Sequence, residues 1–242
     1  MNAAADASAL PAAGGTDDGS RVTEDRDVLR RLRTETAAEH QAVEDTLDLL
    51  APDLTPERLV AALTRLHGFW TAAEAGLDAW AVTAPGDAAA VDWSRRRRAQ
   101  LYAADLAALG AVPAVVEQPA LPPVEGTDEA LGRLYVLEGS TLGGVFIDRH
   151  LASLPQLAPT GGLQAFSPYG EETGAMWHGY RQTTRARVAA GGDADRLVAA
   201  ARDTFAALAA WCGAQPVRTV RRRGSRAGQH PGAPARSDGV PA

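Results

Sequence analysis

Apolar residues through the middle of the chain recur at intervals of three and four, the spacing that lines one face of an α-helix, and the long alternating runs of strands are missing. Leu29, Leu32, Leu47 and Leu50 set a first helix over 27–50, stopped by Pro52. Thr55, Pro56 and Glu57 supply an N-cap, an N1 proline and a first-turn acid. They open a helix to about residue 80 whose apolar positions are Leu59, Leu63, Leu66, Phe69 and Trp70. A loop over 81–92 precedes a helix capped by Ser94 and running to 109. Pro113, Pro119, Pro122 and Pro123 make 110–126 an irregular connection. Thr127, Asp128 and Glu129 mark the start of a helix running through 131–151. After a loop over 155–169, helices over 170–190 and 193–212 complete six or seven. No fixed-period repeat interrupts this series, so the pattern predicts an all-α, single-domain helical bundle, a fold that hosts cofactors between facing helices. Trp70, Trp80, Trp177 and Trp211 fall at helical spacing to apolar neighbours and are assigned to the core.

Two segments depart from ordinary core-forming sequence. In 35–44, ETAAEHQAVE, His40 and Glu44 are four apart and share a helix face, so a carboxylate can reach an imidazole. A metal-bound histidine gives its second ring N–H to such a partner, and haem iron commonly takes a proximal histidine. The same pair is also what a solvated acidic helix face presents. In 137–144, LEGSTLGG, Gly139, Gly143 and Gly144 lie inside a helical run. Each costs roughly 1 kcal/mol relative to alanine. Gly139 and Gly143 share a face on which a ligand or another backbone can come close, and plain helix packing uses the same spacing. Ser140 and Thr141 are placed to hold ordered water beside that gap.

Composition narrows the chemistry. The chain has 242 residues, enough for one substantial core. Residues 1–24 and 214–242 are low in complexity and are expected to be disordered tails around a helical domain at 25–213. Residues 1–20 lack the basic and apolar regions of a secretory signal, and no run approaches the length of a membrane helix. A single cysteine, Cys212, excludes an internal disulfide framework and fits the cytoplasm. The formal charge of −6 argues against nucleic acid as a partner, the basic run Arg221 to Arg223 notwithstanding. All 24 basic residues are arginine, so Schiff-base chemistry on a lysine is ruled out. The four consecutive arginines Arg95 to Arg98 point all around a helix and are expected to form a solvated end.

With these residues assembled, the chain resembles the haem oxygenase superfamily, and within it the soluble bacterial, biliverdin-producing branch. Thr36 to Glu44 is similar to the family's proximal helix, which implies His40 as iron ligand and Glu44 as its hydrogen-bond partner. Tyr135 to Gly144, YVLEGSTLGG, is similar to the distal helix over the oxygen-binding face, implying roles there for Tyr135, Gly139, Ser140, Thr141, Gly143 and Gly144. Phe166 to Gly170 followed by Trp177 is similar to the start of that branch's penultimate helix. In the family, basic residues pair with the haem propionates. Arg33, seven residues before His40, and Arg181, with Tyr180 or His178 beside it, are the matching positions. Animal-type members carry an aspartate after the glycine that matches Gly139. Ser140 stands there instead, which leaves the proton donor among Ser140, Thr141, ordered water and, more weakly, Asp148.

The resemblance implies oxidative opening of haem b, serving as both substrate and cofactor, to biliverdin, ferrous iron and carbon monoxide. It implies O₂ and electrons from an external reductase or ferredoxin, since no GxGxxG loop occurs in the chain. A bilin-binding photoreceptor is a plausible user of the product by analogy. Two alternatives stand beside it: a haem-binding sensor or store that keeps His40 without turnover, and a haem-free helical enzyme dependent on a catalytic cysteine or other polar cluster. His67, His150 and His230 are assigned structural or solvated roles.

Overall fold

The computed structural model describes residues 27–112, 116–160 and 163–214, with side chains for all of these except 158–160. The tail expected at 1–24 lies outside them, as does all but the first residue of that expected at 214–242. Eight α-helices and three short 3₁₀ turns make up the regular structure of the described residues, with no strand among them. The helices are α1 (Val28–Glu35), α2 (Ala37–Leu47), α3 (Pro56–Thr83), α4 (Pro85–Ala90), α5 (Ala99–Ala108), α6 (Thr127–Ser153), α7 (Thr173–Ala189) and α8 (Ala194–Gly213). None is long and apolar enough to cross a membrane.

The helix boundaries follow local chemistry. The Thr55 side chain accepts from the Arg58 amide at 3.3 Å with Pro56 in the first turn, which fixes the start of α3. Asp193 accepts from the amides of Asp195 and Arg196, both at 3.0 Å, and starts α8. Elsewhere the expected segments divide. The predicted first helix breaks at Thr36 into α1 and α2, and 81–92 contains the short α4. The helix predicted from Ser94 is replaced by a 3₁₀ turn at Trp93–Arg95, three non-helical residues and then α5.

Helix α8 organises the packing. It lies along α6 and also touches α2, α1 and α3, while α3 carries α5 and α6 carries α7. The core collects Leu32, Leu59, Leu63, Phe69, Trp70, Leu77, Leu106, Leu134 and Leu197, all at most 1 % exposed. Trp70 and Trp80 are buried as expected, and Trp177 and Trp211 pack partly buried against the same core. Where α6 crosses α8, a Cβ on Gly132 would stand 2.2 Å from the Leu197 carbonyl oxygen, so only glycine admits that approach. Helices α2 and α6 pack on α8 more than on each other, and the stretch of α8 that separates them, the candidate gap, carries Phe205.

Candidate functional site

Thr36 divides the predicted first helix without proline or glycine. Its hydroxyl donates to the Leu32 carbonyl at 2.6 Å, the back-bonding that bends helices, and its side chain is buried. Arg33 therefore ends α1 while His40 sits in the first turns of α2, and their same-face relation, which assumed one continuous helix, is interrupted. His40 and Glu44 do meet. Nδ1 lies 3.7 Å from Oε1, longer than a hydrogen bond, with side chains 53 % and 59 % exposed. The imidazole packs edge-on against Phe205 of α8, centroids 5.5 Å apart, and Phe205 in turn meets Tyr135 of α6 at 6.4 Å. With Nδ1 turned to the carboxylate, Nε2 is the nitrogen left for a ligand.

On α6, successive turns offer an open strip. Built Cβ atoms on Gly139 and Gly143 would meet nothing within 4 Å. Leu142 and Phe146, at helical spacing on the same side, are 39 % and 63 % exposed. Tyr135 closes one end of the strip. Burial pushes its phenol pKa up, against which the Thr36 hydroxyl and the charge of Arg33 pull down, so Arg33 acts at this end of the gap. Arg181 is half-buried on α7 and close to Asp27, whose carboxyl is held low chiefly by its pairing with Arg185 and to a smaller degree by Arg181.

The other two named positions of α6 face the protein interior. Thr141 is buried and donates to the Glu138 carbonyl at 2.7 Å. Gly144 is pressed on the Phe166 backbone, where a Cβ would stand 1.9 Å from the carbonyl oxygen. The two glycines, one residue apart, thus make opposite predictions. Gly144→Ala should destabilise by about 1–3 kcal/mol through overpacking, and Gly143→Ala should stabilise by about 0.5–1 kcal/mol through helix propensity. Urea denaturation of both variants checks this, and equal midpoints would contradict the placement.

The arginine run is a correction to the expected solvated end. Because residues 96–98 are not helical, the four side chains do not fan around a cylinder. Arg95 and Arg97 stay exposed and pair with Glu172 at 2.7 Å and Asp78 at 2.6 Å. Arg96 and Arg98 go inside, 2 % and 1 % exposed. Arg96 forms an ion pair with Glu138, which is fully buried and whose other oxygen accepts from the Tyr169 hydroxyl at 2.8 Å. Arg98 donates to the Leu137 carbonyl and to Ser140 Oγ, the latter at 2.8 Å, while Ser140 itself is exposed. Sequence reasoning missed Phe205, Glu138 and these two arginines. The available signal was an acid at 138 inside an apolar helix, which needs a cation once buried.

Other candidates fall away from the gap. Burial pushes the Cys212 thiol up to about 12, far from a reactive thiolate. His150 lies 3.3 Å from the Ala51 carbonyl, and burial lowers the pKa of His67; His230 lies outside the described residues. Among the described residues no group of three or more His, Cys, Asp or Glu gathers to hold a metal. A metal carried in a flat ring by the ring's own four nitrogens needs one further ligand, which His40 could offer, and the turns at Gly139 and Gly143 carry no Cβ to hinder the approach of such a ring. No curated protein and no solved structure gives a significant match to the chain. A family model described as Heme oxygenase matches residues 26–213.

Proposed function

The chain belongs to the haem oxygenase family, and from that premise we propose that it opens the haem ring with O₂ and externally supplied electrons, giving biliverdin, ferrous iron and carbon monoxide. What supports the reading is an exposed imidazole, His40, packed on Phe205 of α8, which also meets Tyr135 of α6, the helix whose turns at Gly139 and Gly143 stand open. Haem, substrate and cofactor at once, supplies the iron that takes up O₂ and the meso carbon at which the ring opens.

The chain's own residues bind, orient and shield. His40 would offer Nε2 to the iron, and Glu44, 3.7 Å from Nδ1, would close to a hydrogen bond that fixes the tautomer with Nε2 unprotonated. Gly139 and Gly143 leave open space along α6, and Leu142 and Phe146 would give the ring an apolar cover that limits water. Arg33 and Arg181 are the cations proposed for the two propionate carboxylates, where a guanidinium fork matches a carboxylate. Tyr135 closes that end. Thr141 and Gly144 act from behind the wall: the Thr141 hydroxyl is spent on the Glu138 carbonyl, and Gly144 lets the 163–169 segment brace the helix.

As a further part of this proposal, the protein works in the cytoplasm, takes electrons from a separate reductase or ferredoxin and hands its pigment to a bilin-binding photoreceptor. The single cysteine is what supports the compartment.

Hemin added to the purified protein should produce one saturable Soret band. Reductant and air should then replace that band with bile-pigment absorption and release one carbon monoxide per haem. Failure to take up hemin would overturn the reading. A Soret band that survives reductant and air without pigment would leave a haem-binding sensor or store in its place.

A further inference from the structure

We propose that Arg98 is a positioning residue for the oxygen side of the gap: from inside the protein it charges and aims the Ser140 hydroxyl, making that hydroxyl the hydrogen-bond donor of the distal wall. The inference rests on the reading of the gap as a haem site.

Arg98 is held at its backbone, over its guanidinium face and at both terminal nitrogens, while its buried Nε has no hydrogen-bond partner. Its amide and that of Ala99 donate to Glu74 Oε1 at 2.6 and 2.8 Å, which fixes the backbone at the start of α5. Its guanidinium lies 4.9 Å over the Trp70 ring, and Nη1 reaches the Ala165 carbonyl at 3.4 Å. Nη2 then serves two acceptors on α6, the Leu137 carbonyl and Ser140 Oγ. A side chain packed this way is pre-organised.

Ser140 stands where the open and buried sides of α6 meet, next to Gly139. Its hydroxyl has one proton and two lone pairs, and Arg98 has only donors. The proton now goes to the Leu137 carbonyl at 2.7 Å. That carbonyl also receives Arg98, so turning the hydroxyl proton outward leaves no buried oxygen unsatisfied and avoids the usual penalty of about 1–3 kcal/mol. A hydroxyl that accepts from a cation is also a stronger donor. The outward-turned hydroxyl can therefore donate to O₂ or to a water beside it, with the guanidinium charge behind it. No carboxylate is required at position 140 for this polarity.

The test reads the carbon–oxygen stretch of carbon monoxide on the ferrous, hemin-loaded protein, which rises when positive polarity leaves the distal wall. Ser140→Ala and Arg98→Met should both raise the stretch, and the double variant should go no higher than the larger single shift. The dissociation of O₂ should become about tenfold faster in each, the weight of one hydrogen bond to a charged group. Arg98→Lys covers the case in which the methionine variant does not fold: it keeps charge, loses the fork and should give a smaller shift. An unmoved stretch in Ser140→Ala, in Arg98→Met or, should that variant not fold, in Arg98→Lys, or additive shifts in the double variant, would overturn the proposal while hemin binding stood. Wild-type protein that takes up no hemin would overturn the haem-site reading itself, and the inference with it.

Discussion

His40→Ala should bind hemin weakly, lose the spectrum of a histidine-ligated iron and fall at least about a hundredfold in biliverdin formation, a deficit near 3 kcal/mol on the transition-state scale. A coordinate bond is worth more than the net 1 kcal/mol or so of an ordinary hydrogen bond, so a smaller effect is not expected. Folding should be nearly spared. The imidazole is half exposed, and its one ring contact, edge-on to Phe205 at 5.5 Å, is worth about 0.5–1.5 kcal/mol. That combination, a stable fold with a missing ligand, allows a decisive control: imidazole added to the solution should enter the space left by the side chain and restore the spectrum. Hemin bound to the variant with unaltered ligation would show that another residue holds the iron. Glu44→Gln should behave differently, keeping the ligand while weakening its orientation, with a loss of about ten- to a hundredfold typical of such outer partners.

The largest effect on stability is expected at Glu138. Replacing it with alanine strips the buried Arg96 guanidinium of its carboxylate, leaving only the carbonyls of Val91 and Met176, the latter at 3.1 Å. It also orphans the Tyr169 hydroxyl, which donates to the other carboxylate oxygen at 2.8 Å. Breaking one side of a buried ion pair costs about 3–5 kcal/mol, and for a domain of this size each kilocalorie lowers Tm by about 2–4 °C. A fall of about 6–20 °C in Tm is the expected outcome. Differential scanning calorimetry of Glu138→Ala checks it. The paired change Glu138→Leu with Arg96→Met should recover much of the loss, because removing both charges is far less damaging than stranding one. A double variant no better than the single would mean that the carboxylate acts through packing and not through its charge.

The two walls of the gap were legible in the sequence to different depths. The helix around Gly139 and Gly143 announced itself by glycines that propensity disfavours, and the caps at Thr55 and Asp193 announced the helices that support it. Those are local signals. The break at Thr36 was not legible because the residue that bends the chain is a threonine whose effect depends on burial of its own hydroxyl, a tertiary outcome. The arginine run misled for a related reason. Four like charges in a helix must be solvated, but residues 96–98 leave the helix, and alternate side chains then point in opposite directions. Phe205 gave no signal at all, since an aromatic on the apolar face of α8 looks like any core residue until His40 is found against it.

The two sides of the gap differ in stiffness. Rear contacts from Arg96, Arg98 and the Phe166 backbone pin α6 over the turns from 137 to 144, and a methyl group cannot be slipped between that helix and its support. By contrast, α2 buries only Val43 along its length and begins at the break at Thr36. Admission of a rigid disc is therefore expected to displace the histidine-bearing rod before the glycine-bearing one, and amide exchange should be fast along 37–47 and slow along 137–144.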